Sequence, residues 1–161
     1  MIILDQIKDH IRNRPYMDGI TRNAVRIKAT QEVFTPTKMV KDLLNILDPK
    51  LFEDKEQPFV DPTCGDGQFL GEVLIRKVEN GIDFESALST IYGVDLMPDN
   101  VKLCQDRLLC GQEHLRHIVE QNIVCADALR YHYRFDGSHP YDDETKAKAE
   151  EDHLNTLFTF E

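Results

Sequence analysis

"FVDPTCGDGQFL", residues Phe59 to Leu70, runs from a short apolar segment through Asp-Pro into a glycine turn, and leaves it in a helical pattern. Gly65 and Gly67 let the backbone bend sharply and let a ligand come close to it. Read as the end of one strand and the start of the next helix, the turn falls where ligands bind in open parallel sheets, beyond the carboxyl ends of the strands. An ordinary strand-to-helix connection also uses such a turn, so the flanking segments decide its meaning.

Downstream, "IYGVDL" reads as a second strand ending in Asp95, and "NIVCAD" as a third ending in Asp127. Between them lie helical patterns: "GQFLGEVLIRKVENG" with a Phe69, Leu70, Val73, Leu74, Val78 stripe, "DFESALST" capped by Asp83, and "PDNVKLCQDRLLCG" opened by Pro98. Asn80-Gly81 and Gly111 mark helix ends. Upstream, "QPFVDP" reads as a buried strand. "TPTKMVKDLLNILDP" reads as a helix with Thr35 as cap, Pro36 in its first turn, and Met39, Val40, Leu43, Leu44 and Leu47 on one face. Residues 2–12 form a further helix with Ile3, Ile7 and Ile11 in register, ending at Arg14-Pro15. The alternation of strands and helices predicts an α/β fold with a parallel sheet flanked by helices. After Leu129 the pattern fades.

An acid ends each strand. Asp95, at the end of the second, is placed to take both hydroxyls of a ribose, since a carboxylate accepts hydrogen bonds and donates none. Leu96 and Met97 follow it and can pack on a base. Asp127 can accept from an adenine amino group, with the next amide meeting a ring nitrogen. For Asp95 and Asp127 the alternative role is a helix cap. Phe69 is core or lid, and its spacing favours core.

The chain has 161 residues, 41% apolar and 30% charged, as a soluble globular domain does. No apolar run approaches the roughly 20 residues of a membrane span, and the N-terminus lacks the order of a signal peptide. A cytoplasmic location is the expectation. Cys64, Cys104, Cys110 and Cys125 form no C-x-x-C pair, which predicts reduced thiols and no metal site. The net charge of −10 argues against strong nucleic-acid binding by the chain alone, although "IRNRPYMDGITRNAVRIKA" is locally basic. The last twenty residues are strongly acidic yet end in an apolar cluster: Leu154, Leu157, Phe158 and Phe160. That cluster is expected to dock on the chain's own sheet or on a twin in a dimer. The chain divides into an N-terminal helical segment (1–30), a ligand-binding domain (31–135) and an acidic tail (136–161).

"FVDPTCGDGQFL" resembles the D-P-x-C-G-x-G-x-F-L motif of the amino-methyltransferases that modify DNA bases, as in type I restriction-modification subunits. "YGVDLMPDNVKLCQDRL" resembles their second motif, "CADAL" their third, and "EVFTPTKMVKDLL" the F-T-P segment of the adenine-modifying branch. The four run in the family's order from Glu32 to Leu129. The resemblance implies a partial Rossmann-like methyltransferase fold, S-adenosylmethionine as cofactor, and methyl transfer to the N6 amine of DNA adenine. It implies that Phe34, Thr35 and Pro36 close over the cofactor, with Thr35 near its carboxylate. Asp61, Gly65 and Gly67 would face its methionine and ribose, and Asp95 would hold the ribose hydroxyls with Leu96 beside the adenine. Asp127, Ala128 and Leu129 would hold the adenine.

The family's chemistry resides in a further loop, Asn/Asp/Ser-Pro-Pro-Tyr/Phe, at the end of the next strand. That loop accepts hydrogen bonds from the target amine and stacks on the extruded base. The chain holds no N-P-P-Y. Its nearest stretch is "GSHPYDD", with Ser138 and Tyr141 as catalytic candidates and His139 where the first proline should stand. No apolar strand precedes it. The sequence therefore supports cofactor binding better than catalysis by the isolated chain. A catalytically silent binding or interaction module is the alternative, and a partner protein supplying the missing half is another.

Overall fold

The computed structural model describes residues 2–14 and 35–142. The first helix, α1 (Leu4–Asn13), buries Ile7 and Ile11, while Ile3 stands exposed just ahead of it. Arg14 takes a left-handed conformation and donates its amide to His10 O, which closes the helix where the sequence expected it to end.

The second helix, α2 (Thr37–Leu44), begins one residue after Pro36 and is not capped by Thr35. Only Val40 and Leu44 of its apolar residues are buried. The expected five-residue stripe is corrected here: Met39, Leu43 and Leu47 are exposed. Two turns of helix resting on one neighbouring helix cover only a narrow strip of side chains. Asp48 then accepts from the amide of Lys50 and opens a 3-10 turn over Pro49–Phe52.

Strand β1 (Phe59–Asp61) leads through the glycine turn into α3 (Gln68–Glu79), whose Leu70, Val73, Leu74 and Ile75 are buried. Helix α4 (Phe84–Ser89) is capped as expected, Asp83 Oδ1 accepting from Ser86 N at 2.9 Å. Strand β2 (Ile91–Asp95) precedes α5 (Pro98–Leu109). A 3-10 turn (Glu113–Leu115) and a helix, α6 (Arg116–Asn122), follow and lead into β3 (Ile123–Cys125). The sequence reading passed over α6. Its seven residues carry one buried apolar contact, Val119, too little for a periodic signal.

The three strands form one parallel sheet in the order β1-β2-β3. Phe59 pairs with Ile91, and Asp95 pairs with Cys125. The α/β class and the parallel sheet flanked by helices are as the alternation predicted.

The helices make one core with Ile91 and Ile123. The alternation of strand side chains sends the intervening residues to the other face. There Val94, Ala126 and Tyr131 are buried together, with Val124, Phe135 and Tyr141 against them. The chain from Arg130 to Asp142 thus lies across the far face of β2 and β3 as an irregular strap. Its Phe135 ring sits 4.8 Å from Tyr92 and 5.1 Å from Tyr131. Among the described residues no such cover reaches β1, and Val60 is 55% exposed. The expectation of a fully buried first strand is corrected by that residue. Phe34 and the apolar cluster Leu154–Phe160 lie outside the described residues.

Candidate functional site

At the carboxyl edge of the sheet a cleft of about 650 Å³ opens between the glycine turn, the end of β2 and the start of α2. Thr35, Asp61, Gly65, Asp95 and Leu96 all line it. Five residues picked from three separated stretches of sequence therefore meet in one cavity.

Local geometry explains the convergence. Asp61 ends β1, and its Oδ1 accepts from Thr63 N at 3.0 Å, bending the chain into the turn. Cys64 N donates to Val94 O at 2.9 Å and Gly67 N to Cys64 O at 2.8 Å. Gly65 and Gly67 have φ of 54° and 85°, which disfavours any side chain at either position. Gly65 N donates to Asp95 Oδ2 at 3.0 Å. Asp95 Oδ1 accepts from Met97 N at 2.9 Å and from Asn100 Nδ2 at 3.2 Å. Asp95 thus ties the glycine turn to the start of α5 while facing the cleft. The cap alternative is not met as such: Met97 stands at the N-cap of α5 without a side-chain cap, and Asp95 binds the amide of that residue instead.

The cleft is electrostatically negative on this side. Burial pushes the Asp61 carboxyl above its ordinary 3.8; the Thr63 amide opposes the shift and the nearby Asp95 charge adds to it. Two carboxylates with little water around them favour a ligand that brings a positive charge. The rest of the lining is apolar, with Leu44, Leu47, Phe59, Phe69, Leu70 and Val73. Phe69 is half-buried: it packs on the core, as its spacing favoured, and also borders the cleft.

Other candidates stand elsewhere. Pro36 precedes α2 and does not line the cleft. A Cβ built on Gly67 would lie 2.8 Å from Cys104 Sγ, so this glycine is needed at the back of the turn rather than for the cavity. Asp127 sits at the end of β3, outside the cleft lining. Its Oδ1 accepts from Leu129 N at 2.9 Å, and its Oδ2 is 3.6 Å from Arg130 Nε. Ala128 packs with the far-face cluster and Leu129 is 95% exposed. Asp127 N donates to the hydroxyl of Tyr141 at 2.8 Å, which fastens the strap to the strand end. Ser138 is exposed and bonded to Asp136. Neither Ser138 nor Tyr141 borders the cleft.

The sequence reading missed Asp66, Cys64 and Asn100 as cleft residues, and Arg107 behind them. An aspartate between two glycines was visible, but its arginine partner comes from a helix 41 residues away. The buried thiols Cys64 and Cys110 are held in the protonated form. Contact with Cys104 and burial push Cys64 far up, and burial pushes Cys110 up to about 12. Among the described residues no group of His, Cys, Asp and Glu is placed to hold a metal ion, and no helix is long and apolar enough to cross a membrane.

The parallel sheet and the glycine turn define a partial Rossmann-like domain with a cleft at the carboxyl edge of its sheet. The match to known families is more specific: a profile of the N-6 DNA methylase family covers residues 18–140, and the chain belongs to that family. Neither the curated proteins nor the solved structures contain a match to the chain.

Proposed function

We propose that the cleft binds S-adenosylmethionine, and that the chain serves the family's reaction, methyl transfer to the N6 amine of adenine in DNA. The observation that carries the reading is the meeting of Asp61, Gly65 and Asp95 in one cavity beside an apolar wall. The donor set fits the ligand. Asp95 can accept from ribose hydroxyls, Leu96 and Met97 offer an apolar surface to a base, and Asp61 faces the positively charged part. Bound there, S-adenosylmethionine supplies an electrophilic methyl group. The chain's own residues bind it, orient it and exclude water through Leu44, Phe59 and Phe69.

A second reading has its own support. The 161 residues hold no N-P-P-Y, and Tyr141, the aromatic residue of the nearest stretch, is committed to the Asp127 amide. On this reading the chain binds cofactor, and a partner protein or a second copy completes or replaces catalysis.

Calorimetric titration with S-adenosylmethionine and its demethylated product tests the binding. Heat at micromolar to millimolar ligand is expected; no heat at millimolar ligand removes the reading. Transfer of tritiated methyl to unmethylated DNA separates the two functions. Robust incorporation by the purified chain favours the enzyme, and binding without incorporation favours the silent module.

A further inference from the structure

Asp66 sits between the two glycines of the turn, and its side chain is fully buried. A carboxylate is rarely buried without a counter-charge. Here the counter-charge is Arg107 of α5, itself fully buried. Arg107 Nη1 donates to Asp66 Oδ1 at 3.0 Å and to the backbone oxygen of the same residue at 2.8 Å. Arg14, at the end of α1, adds a guanidinium 3.6 Å from Asp66 Oδ2. One arginine therefore grips both the side chain and the peptide of the turn's central residue.

The arginine stem runs within ordinary contact range of two glycines. A Cβ on Gly67 would lie 3.5 Å from Arg107 Cδ, and a Cβ on Gly71 would lie 3.4 Å from the same atom. Gly67, the N-cap of α3, and Gly71 within it are one helical turn apart, so both lie along the arginine stem. On the cleft side of the same turn, Gly65 N donates to Asp95. The turn is thus pinned from behind by Arg107 and from in front by Asp95.

We infer that Asp66 and Arg107 are positioning residues, a buried clamp that fixes the glycine turn in the shape the cleft needs for a ligand. The inference rests on the cofactor reading for its ligand consequence, though not for its effect on the turn. Both side chains are fully buried and bonded to each other rather than offered to the cleft. The clamp sets the direction of the Gly65 amide and the place of Asp61, which face the methionine side, while Asp95 and Leu96 on the adenosine side are held by β2 and α5.

The test uses the whole chain. Amide hydrogen exchange by NMR, without ligand, compares the wild-type protein with Asp66→Asn, which removes the charge and keeps the shape. Exchange of the Gly65 and Gly67 amides is expected to rise at least about tenfold, with the Leu74–Val78 amides of α3 within about twofold. Uniform acceleration, or none at Gly65 and Gly67, overturns the clamp. If Asp66→Asn does not fold, Arg107→Lys, which keeps the charge and loses the planar fork, is judged by the same amides. Titrations then read the ligand consequence: about tenfold weaker binding of S-adenosylmethionine and less than about threefold for adenosine. Equal loss for both ligands overturns the assignment to the methionine side. A wild-type chain that binds neither ligand refutes the cofactor reading, while the exchange data still decide the clamp.

Discussion

Asp95 carries three hydrogen bonds from its own chain, to Gly65 N, Met97 N and Asn100 Nδ2. Asp95→Ala therefore removes the acceptor proposed for the ribose hydroxyls and loosens the turn together. Affinity for S-adenosylmethionine is expected to fall by about 1–3 kcal/mol, the scale for losing a charged acceptor, and calorimetry reads it directly. Asp61 makes a pH prediction. Its folded pKa lies above the ordinary 3.8, so in the window between the two values the folded chain binds more protons than the unfolded one. Within that window its contribution to stability grows as pH falls. Ligand binding runs the other way, because a cationic ligand needs the ionised carboxylate. Affinity is expected to decline as pH drops through the raised pKa, and Asp61→Asn should flatten that slope in titrations run from neutral pH downward.

At the scale of elements, two buried features fasten α3 to its neighbours. Lys77 is buried, with Nζ bonded to Gln57 O at 2.7 Å and to Thr90 Oγ1 at 2.6 Å. It joins the segments entering β1 and β2. Lys77→Met keeps the stem but removes the donor to Gln57 O and to Thr90 Oγ1, whose own bond to Ala87 O remains, and should cost about 1–3 kcal/mol in urea unfolding. Gly71 makes the opposite of the usual helix rule. Replacing an interior helical glycine by alanine ordinarily stabilises by about 1 kcal/mol. Here the new Cβ would stand 2.8 Å from Cγ2 of the buried Ile11 and 3.4 Å from Arg107 Cδ. Gly71→Ala should destabilise by about 1–3 kcal/mol as α1 is forced away, and a rise in melting temperature would refute that contact.

The whole molecule depends on its strap. Val94, Ala126 and Val124 on the far face are covered by Tyr131, Phe135 and Tyr141, and Gln121 Nε2 donates to Phe135 O at 2.8 Å. A chain ending at Leu129 keeps Asp95, Asp61 and the glycine turn but bares that face. It is expected to sediment as larger species and to bind a hydrophobic dye, since an apolar sheet face left in water associates. Unchanged solution mass would mean that the strap is decoration. Tyr141→Phe is the gentler probe: loss of the acceptor for Asp127 N should cost about 1 kcal/mol.

The sequence alone determined the strands at Phe59, Ile91 and Ile123, their parallel pairing, the Asp83 cap and the convergence of Asp61, Gly65 and Asp95. Each rests on local chemistry: period-two and helical spacing, a turn only glycine tolerates, an acid at a strand end. Tertiary structure alone decided which partners lie far apart in the chain. It turned Gly67 toward Cys104, paired Asp66 with Arg107 across 41 residues, left Met39 and Leu43 uncovered, and laid Tyr141 on Asp127. Sequence periodicity states that a residue is apolar or charged. Only the packed fold states what stands opposite it, and the cost of burying Asp66 or Lys77 is met by that opposite group.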